Sequence, residues 1–380
     1  MREPAEEYIR NLSRHILSME ITGSVTNPAD AGNRRMLHRL VTLYLDTIPL
    51  AMAKPDAEEA RTAQEVVVAI INDLLETAKS NVPFSTRPRD PSPVLDQLAH
   101  RFVVTCFEET WHRKVAGCKG IIIMTSKVDL GIVWIRKREP DFIRALFFVL
   151  KDMPNDPPAN IDEVLDAITH IIRTCRGNAS PMDEDGVDLQ EEISYLVKVL
   201  IVELSSTNPM VRKAAQSTLE LLGELSDTNI SELMMPHRDR LLSPIFTKPL
   251  RALPLSTQIG NIDAIRYCLD LKPYLLDVNE ELLRLLHEAL ALADADDAAL
   301  IGRSTQRRSS LEVIKLRVVC IKLLTASMPL TDFFSKQHQT RQRWVNLPCV
   351  KYGPSAEPFP CPLPESLGSI SNPCTRPPRK

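Results

Sequence analysis

Four clusters in this sequence have residue types and spacings that could support chemistry. His237-Arg238-Asp239 matches the opening of a protein-kinase catalytic loop, in which the Asp is the base and an Asn five residues later holds magnesium. Here that position is Pro244, no Gly-rich loop precedes the triplet, and Asp332-Phe333-Phe334 lacks the magnesium-binding pattern. The triplet reads instead as a capped helix start. Asp294, Asp296 and Asp297 resemble the start of a calcium loop, but the sixth and twelfth positions are Ala299 and Thr305 where Gly and Glu are required. A helix-terminal acidic turn accounts for them. Cys106, His112 and Cys118 could offer three metal ligands, yet their spacing fits no compact zinc template. Buried cysteines beside a surface histidine are expected. Thr305-Gln306-Arg307-Arg308-Ser309-Ser310 reads as a basic loop, solvated or open to phosphorylation.

No GxSxG, HExxH, Walker or GxGxxG sequence occurs. The 12 glycines among 380 residues are about half the usual ~7%, which disfavours the tight phosphate and nucleotide turns that need them. No catalytic, cofactor-binding or metal-binding residue is assigned, and no cofactor is expected. Trp111 and Trp134 are expected to pack between helices.

The elements that hold these residues read as helices. Asn208 is a good N-cap and Pro209 falls at the first helical position. Val211, Ala214, Ala215, Thr218, Leu219, Leu222 and Leu225 then form one helical face. Asn279 caps a second helix, with its stripe at Leu282, Leu285, Leu286, Ala289 and Ala293. For 311–328 the expected buried stripe is Leu311, Ile314, Val318, Ile321 and Met328. Further helices are predicted at about 4–20, 34–51, 57–79, 92–110, 139–151, 160–175, 188–205, 228–242 and 257–270. Ile121-Ile122-Ile123 has no partner strand and reads as part of a buried helix.

The architecture is therefore all-α, as a compact bundle or an α-solenoid of stacked helix pairs. The start Asn208-Pro209-Met210-Val211-Arg212-Lys213-Ala214-Ala215, echoed at Asp141-Phe142-Ile143-Arg144-Ala145-Leu146, has the form of a second HEAT helix and favours the solenoid over residues 1–343. Residues 344–380 hold 9 of the 29 prolines and no apolar periodicity. This tail is expected to be disordered, and the shift near Trp344 is read as intron read-through or a truncated gene model. Cys349, Cys361 and Cys374 there have no zinc spacing.

The net charge of −3 hides segregation. Residues 152–236 carry 16 acids and 5 bases, and residues 101–151 carry 10 bases and 5 acids. An acidic centre is a poor phosphate surface, so no direct nucleic-acid contact is expected. Arg136-Lys137-Arg138 reads as a solvated turn. The start Met1-Arg2-Glu3-Pro4-Ala5-Glu6-Glu7 is charged, and the apolar runs are far shorter than the ~20 residues of a membrane span. A soluble, intracellular and reduced chain with no membrane partner is expected, its first five cysteines buried as small hydrophobes.

One long stretch goes beyond generic helix patterning. Leu241-Leu242-Ser243-Pro244-Ile245-Phe246-Thr247-Lys248-Pro249-Leu250-Arg251-Ala252-Leu253-Pro254 continues through Thr257-Gln258-Ile259-Gly260-Asn261-Ile262-Asp263-Ala264-Ile265-Arg266-Tyr267-Cys268-Leu269 and closes at Glu288 to Asp297. It resembles the transformation/transcription domain-associated protein (TRRAP) family, in its fungal form. Weaker likeness appears in His100-Arg101-Phe102, Cys106-Phe107-Glu108-Glu109, Phe142 to Leu146 and Thr331 to Ser335. Members look like PI3-kinase-related kinases with a HEAT array, a FAT region and a kinase-like domain lacking catalytic residues. The resemblance implies a non-enzymatic piece of the HEAT array, a nuclear scaffold in histone acetyltransferase complexes that docks transcriptional activators and contacts other subunits. An acidic-hydrophobic activation segment needs an apolar groove with basic rims, and the basic block 101–151 is the expected place. The rival readings are an unrelated HEAT adaptor, such as a nuclear-transport receptor binding a small GTPase, and a fragment of an active kinase of this class, which would need downstream kinase motifs.

Overall fold

The computed structural model describes residues 7–8, 10–15, 31–79, 91–153, 158–177, 189–296, 300 and 307–330. The chain divides into units 1–336 and 337–380, and the second lies outside the described residues, as do Asp297, Ala299, Thr305, Thr331 to Ser335 and the tail cysteines.

The described elements are α1 (Ala31–Met52), α2 (Ala57–Lys79), α3 (Ser92–Cys106), α4 (Trp111–Ile122), α5 (Ile132–Arg136), α6 (Glu139–Lys151), α7 (Pro158–Arg176), α8 (Leu189–Glu203), α9 (Pro209–Leu225), α10 (Ile230–Met234), α11 (Arg238–Thr247), α12 (Leu255–Asp270), α13 (Glu280–Asp294) and α14 (Arg307–Ser327). No strand occurs among the described residues. The HEAT-type all-α reading holds. Consecutive helices pair, α3 with α4, α6 with α7 and α8 with α9, and each pair stacks on the next. Thus α6 touches α3 and α4 behind it and α9 ahead, while α9 reaches α12. Stacking of neighbours is how repeat units bury faces that none could bury alone.

The caps behave as their chemistry dictates. Asn208 accepts from the Met210 N–H at 2.9 Å, and Asn279 accepts from the Leu282 N–H at 2.8 Å. Each satisfies a helix-start donor that would otherwise lack a partner. Helix α6 sits in the middle of the stack and is buried on most sides by Phe142, Ile143, Ala145, Leu146, Phe147, Val149 and Leu150. Truncating Phe142 or Phe147 should cost about 3–5 kcal/mol.

Three helix readings need correction. The segment 228–242 is not one helix. It is α10, a 3-10 turn at Met235–His237 carrying Pro236, and α11, because proline cannot continue a donor ladder. The helix expected over 92–110 stops at Cys106, and a separate helix, α4, follows from Trp111. Residues 307–310 open α14 and are not loop.

The largest correction concerns α14. The expected stripe points outward, with Leu311, Ile314, Ile321 and Met328 at 55, 54, 37 and 44% exposure. The buried face is Val313, Leu316, Cys320, Leu323 and Leu324, packed against α12 and α13. This helix is apolar on two sides, and the sequence period alone does not say which side meets the core.

Where α3 and α4 cross, the backbones approach closely. A Cβ on Gly117 would lie 2.6 Å from the Phe102 carbonyl oxygen, and one on Gly120 would lie 2.2 Å from the Phe102 ring. Glycine is the residue that permits this approach. Helix α4 then runs into a π turn at Ile123–Lys127, so the isoleucine run is helical and buried as expected. Thr125 and Ser126 hydroxyls donate to the Ile121 and Ile122 carbonyls at 2.9 and 2.7 Å. These bonds serve carbonyls in the turn where the regular ladder widens.

Candidate functional site

The basic block 101–151 is largely neutralised by acids from elsewhere in the stack. Arg101 pairs with Asp46 at 2.6 Å and Lys151 with Glu203 at 2.6 Å. Lys114 pairs with Asp152, Lys119 with Glu163 and Arg138 with Asp96. Arg113 is satisfied locally by Glu108. The charge excess of the sequence therefore becomes a set of helix-to-helix contacts. Partly exposed pairs of this kind contribute about 0–1 kcal/mol each, so they fix register more than stability. Lys127, Lys137 and Arg144 are the exposed bases of the block outside these pairs. The turn Arg136-Lys137-Arg138 is correspondingly less solvated than expected. Arg136 donates to the Cys175 carbonyl at 3.0 Å, and the Arg138 guanidinium lies 4.0 Å from the Trp134 ring centroid. Trp134 itself donates to Asp96 at 3.0 Å, wedged between helices as anticipated.

Within this block lies an apolar surface patch. The rings of Phe107 and Phe148 meet at 4.7 Å with a 54° tilt, beside the exposed Val104. The Lys114 ammonium stands 5.1 Å from the Phe148 ring centroid, and Arg144 and Lys151 lie on the same helix as Phe148. The patch has an aromatic floor and a cationic edge, though part of that charge is already paired.

The kinase-like triplet has a structural explanation. Arg238 starts α11 and sits 3.5 Å from Asp239 and 3.9 Å from Asp277. The His237 ring bonds the Ser194 hydroxyl at 2.7 Å, and burial, followed by Lys198 and Arg240, lowers its pKa. Arg238, Asp239 and Asp277 edge a cleft of about 370 Å³ floored by Leu242, Phe246 and Leu275. Asp294 ends α13, with Asp296 two residues beyond. Cys106 and Cys118 are buried and His112 is exposed. Among the described residues no group of three or more His, Cys, Asp and Glu could hold a metal ion. No helix there is long and apolar enough to cross a membrane.

The family-like stretch 241–297 is rich in polar residues that tie loops to helices. Leu250 donates its N–H to Glu288 at 2.6 Å, and Arg284 donates to the Phe246 carbonyl. Gln258, buried, donates to the Leu253 carbonyl at 2.8 Å. Arg212 on α9 reaches Asp263 on α12 at 2.9 Å and the Ser206 carbonyl at 2.8 Å. Asp263 also accepts from Arg266 at 3.1 Å. A Cβ on Gly260 would fall 2.4 Å from the Ser205 carbonyl oxygen, so α12 passes close under the end of α8. Arg212 belongs to the Val-Arg-x-Ala-Ala pattern, the one sequence signal that could have marked this linkage. Its counterpart Arg144 is exposed, so the signature does not fix the role.

Residues 1–347 match the Tra1 HEAT repeat ring region. The SAGA complex/NuA4 acetyltransferase complex subunit TRA1 of Saccharomyces cerevisiae is 31% identical over 349 residues, which are 89% of this chain and 9% of that protein. The subunit Tra1 of Schizosaccharomyces pombe is 38% identical over 261 residues, 67% of this chain and 7% of that protein. The human transformation/transcription domain-associated protein is 26% identical over 296 residues, 75% of this chain and 7% of that protein. The chain thus spans less than a tenth of the length of these relatives. What it matches is a HEAT ring and not a catalytic domain, and the chain belongs to the Tra1/TRRAP family as a segment of its HEAT repeat ring.

Proposed function

We propose that this chain is a non-catalytic scaffold segment of a subunit of SAGA- and NuA4-type histone acetyltransferase complexes, acting in the nucleus and docking transcriptional activators. The match of residues 1–347 to the ring region carries this reading, together with two relatives that bear those complex names. A stacked repeat array suits it physically, because its units expose a long continuous surface while each contacts only its neighbours.

The docking face is the Val104, Phe107 and Phe148 patch, edged by the exposed Arg144, while Lys114 and Lys151 beside it are already paired with Asp152 and Glu203. Aromatic anchors supply most of the binding energy in small interfaces, and bases at the rim steer an acidic segment. Affinity purification of the tagged protein from nuclear extract tests the scaffold reading. Recovery of acetyltransferase-complex subunits is expected, whereas recovery of a small GTPase in their place would favour the transport-adaptor reading. The docking face is tested by titrating an acidic activation-segment peptide. Phe107→Ala with Phe148→Ala should weaken its binding about tenfold or more while leaving the helical circular-dichroism signal in place. Unchanged binding would move activator docking off this patch.

A further inference from the structure

One face of α11, carrying Arg238, Asp239, Leu242, Ser243, Phe246 and Thr247, stands against the segment Leu275 to Glu281 that leads into α13. Between them lies the cleft of about 370 Å³. That size is within the ~300–1,000 Å³ range of small-ligand sites. Helix α11 packs on α8 and on α13, and α13 packs in turn on α14. The two walls are therefore neighbouring units of the stack in contact with one another, and the opening between them is not a terminal face of the array.

The floor of the cleft is apolar, from the buried Leu242, Phe246, Leu275 and Leu276, and its rim is acidic. Asp239, Asp277 and Glu281 are the exposed acids of that rim. Asp239 and Glu281 lie in the first turns of α11 and α13, where a carboxylate favours the helix by itself. Asp277 precedes the Asn279 cap and has no such duty. The one base lining the cleft, Arg238, holds these acids loosely. Its Nε is 3.5 Å from Asp239 and its Nη1 is 3.9 Å from Asp277, beyond good hydrogen-bond length, and the two carboxylates remain 88 and 89% exposed. Arg284, on α13, is turned to the Phe246 carbonyl and Glu288. Arg240 and Lys248 are exposed but do not line the cleft.

A single guanidinium thus already spans the two aspartates without satisfying either. The planar guanidinium can serve two carboxylates from separate nitrogens, and its aliphatic stem can lie along apolar side chains. Three acids against one base along the lining favour a cationic occupant. We infer that the cleft is a docking site for an arginine-bearing segment of a partner protein, with the guanidinium between Asp239 and Asp277 and an apolar neighbour over Leu242 and Phe246. Its charge preference is opposite to that of the Phe107–Phe148 patch, so the two surfaces take different partners.

The test titrates the 380-residue chain into a labelled peptide, Gly-Leu-Arg-Leu-Arg-Gly, read by fluorescence anisotropy. A second peptide carries citrulline in place of each Arg, which keeps the shape and removes the charge, and a third carries Glu. The Arg peptide should bind, and added salt should weaken it. Asp277→Asn should lower its affinity about tenfold without changing the thermal melt, because that side chain is exposed and lies outside the helices. Arg238→Gln should raise the affinity about threefold by removing the competing cation, a gain that misfolding cannot produce. Equal binding of the Arg and citrulline peptides, or binding of neither, overturns the proposal. So does Arg-peptide binding that neither variant changes, which would place it on another acidic surface of the chain. Preference for the Glu peptide, lost in Arg238→Gln, would assign the cleft to an anion and overturn it as well.

Discussion

Arg176, at the end of α7, donates to Glu139, at the start of α6, and both side chains are buried. A second acid, Glu192 on α8, accepts from the same guanidinium at 3.0 Å. Three helices from two repeat pairs therefore meet at one cation. Breaking such a contact from one side leaves a buried charge without its counter-ion, which costs about 3–5 kcal/mol. Arg176→Ala should destabilise the chain by that order in chemical denaturation at pH 8.

The same pair gives a pH dependence of defined sign. Burial pushes the Glu139 carboxyl from 4.5 up to about 7, against the opposing pull of Arg176. Between those values the folded chain holds a proton that the unfolded chain has released. The contribution of this group is therefore fully present below that window and is lost as pH rises through it. Melting temperatures measured from pH 5 to pH 8 should fall more steeply for the wild type than for Glu139→Gln. The cost of Arg176→Ala should be smaller at pH 5, where a protonated Glu139 needs no counter-ion.

Gly260→Ala should destabilise although alanine is the better helix former. The gain in helix propensity is about 1 kcal/mol. Against it stands a Cβ placed 2.4 Å from the Ser205 carbonyl oxygen and 2.8 Å from that of Ser206, both backbone atoms that cannot rotate away. Forced overpacking of this kind costs about 1–3 kcal/mol. A net loss in urea midpoint is expected, and a gain would show that α8 and α12 separate easily.

Arg212→Lys should also be costly, and more than a charge-conserving change suggests. The Arg212 guanidinium serves Asp263 through Nε and the Ser206 carbonyl through Nη1 at once. An ammonium is a point donor and cannot span both. Asp263 retains Arg266, so the loss should be about 1–3 kcal/mol, smaller than for Arg176. A double-mutant cycle with Asp263→Asn separates the ion pair from the carbonyl bond.

Cys106, Cys118, Cys175, Cys268 and Cys320 are buried free thiols. Burial pushes Cys118, Cys175, Cys268 and Cys320 up to about 12, and Cys106 well above its ordinary value. The thiolate is the reacting form, so all five should resist iodoacetamide in the native chain at pH 8 and react fully in denaturant. Peptide mapping by mass spectrometry reads each site separately. Rapid native labelling of any of the five would show local opening at that helix.

Local signals in the sequence determined much of this protein. Caps at Asn208 and Asn279, the stripes of α9 and α13 and the near-absence of strand patterning specify helices, because each depends on neighbours within a turn or two. The stretch 241–297 also carried the family in its own residues. Other features depended on which helices meet. The sequence shows α14 with two apolar faces, and only packing against α12 and α13 makes Val313, Leu316 and Cys320 the core and leaves Leu311, Ile314 and Ile321 outside. Only the C-terminal end of helix α4, at Ile121 and Ile122, was legible; its start was hidden because Gly117 and Gly120 weaken the helical pattern, and their reason lies in Phe102 on another helix. The basic surplus of 101–151 looked like a binding rim, yet Asp46, Asp96, Glu163 and Glu203 from other helices take up much of it. Charge and burial are properties of neighbours in space, and a sequence records directly only the neighbours along the chain.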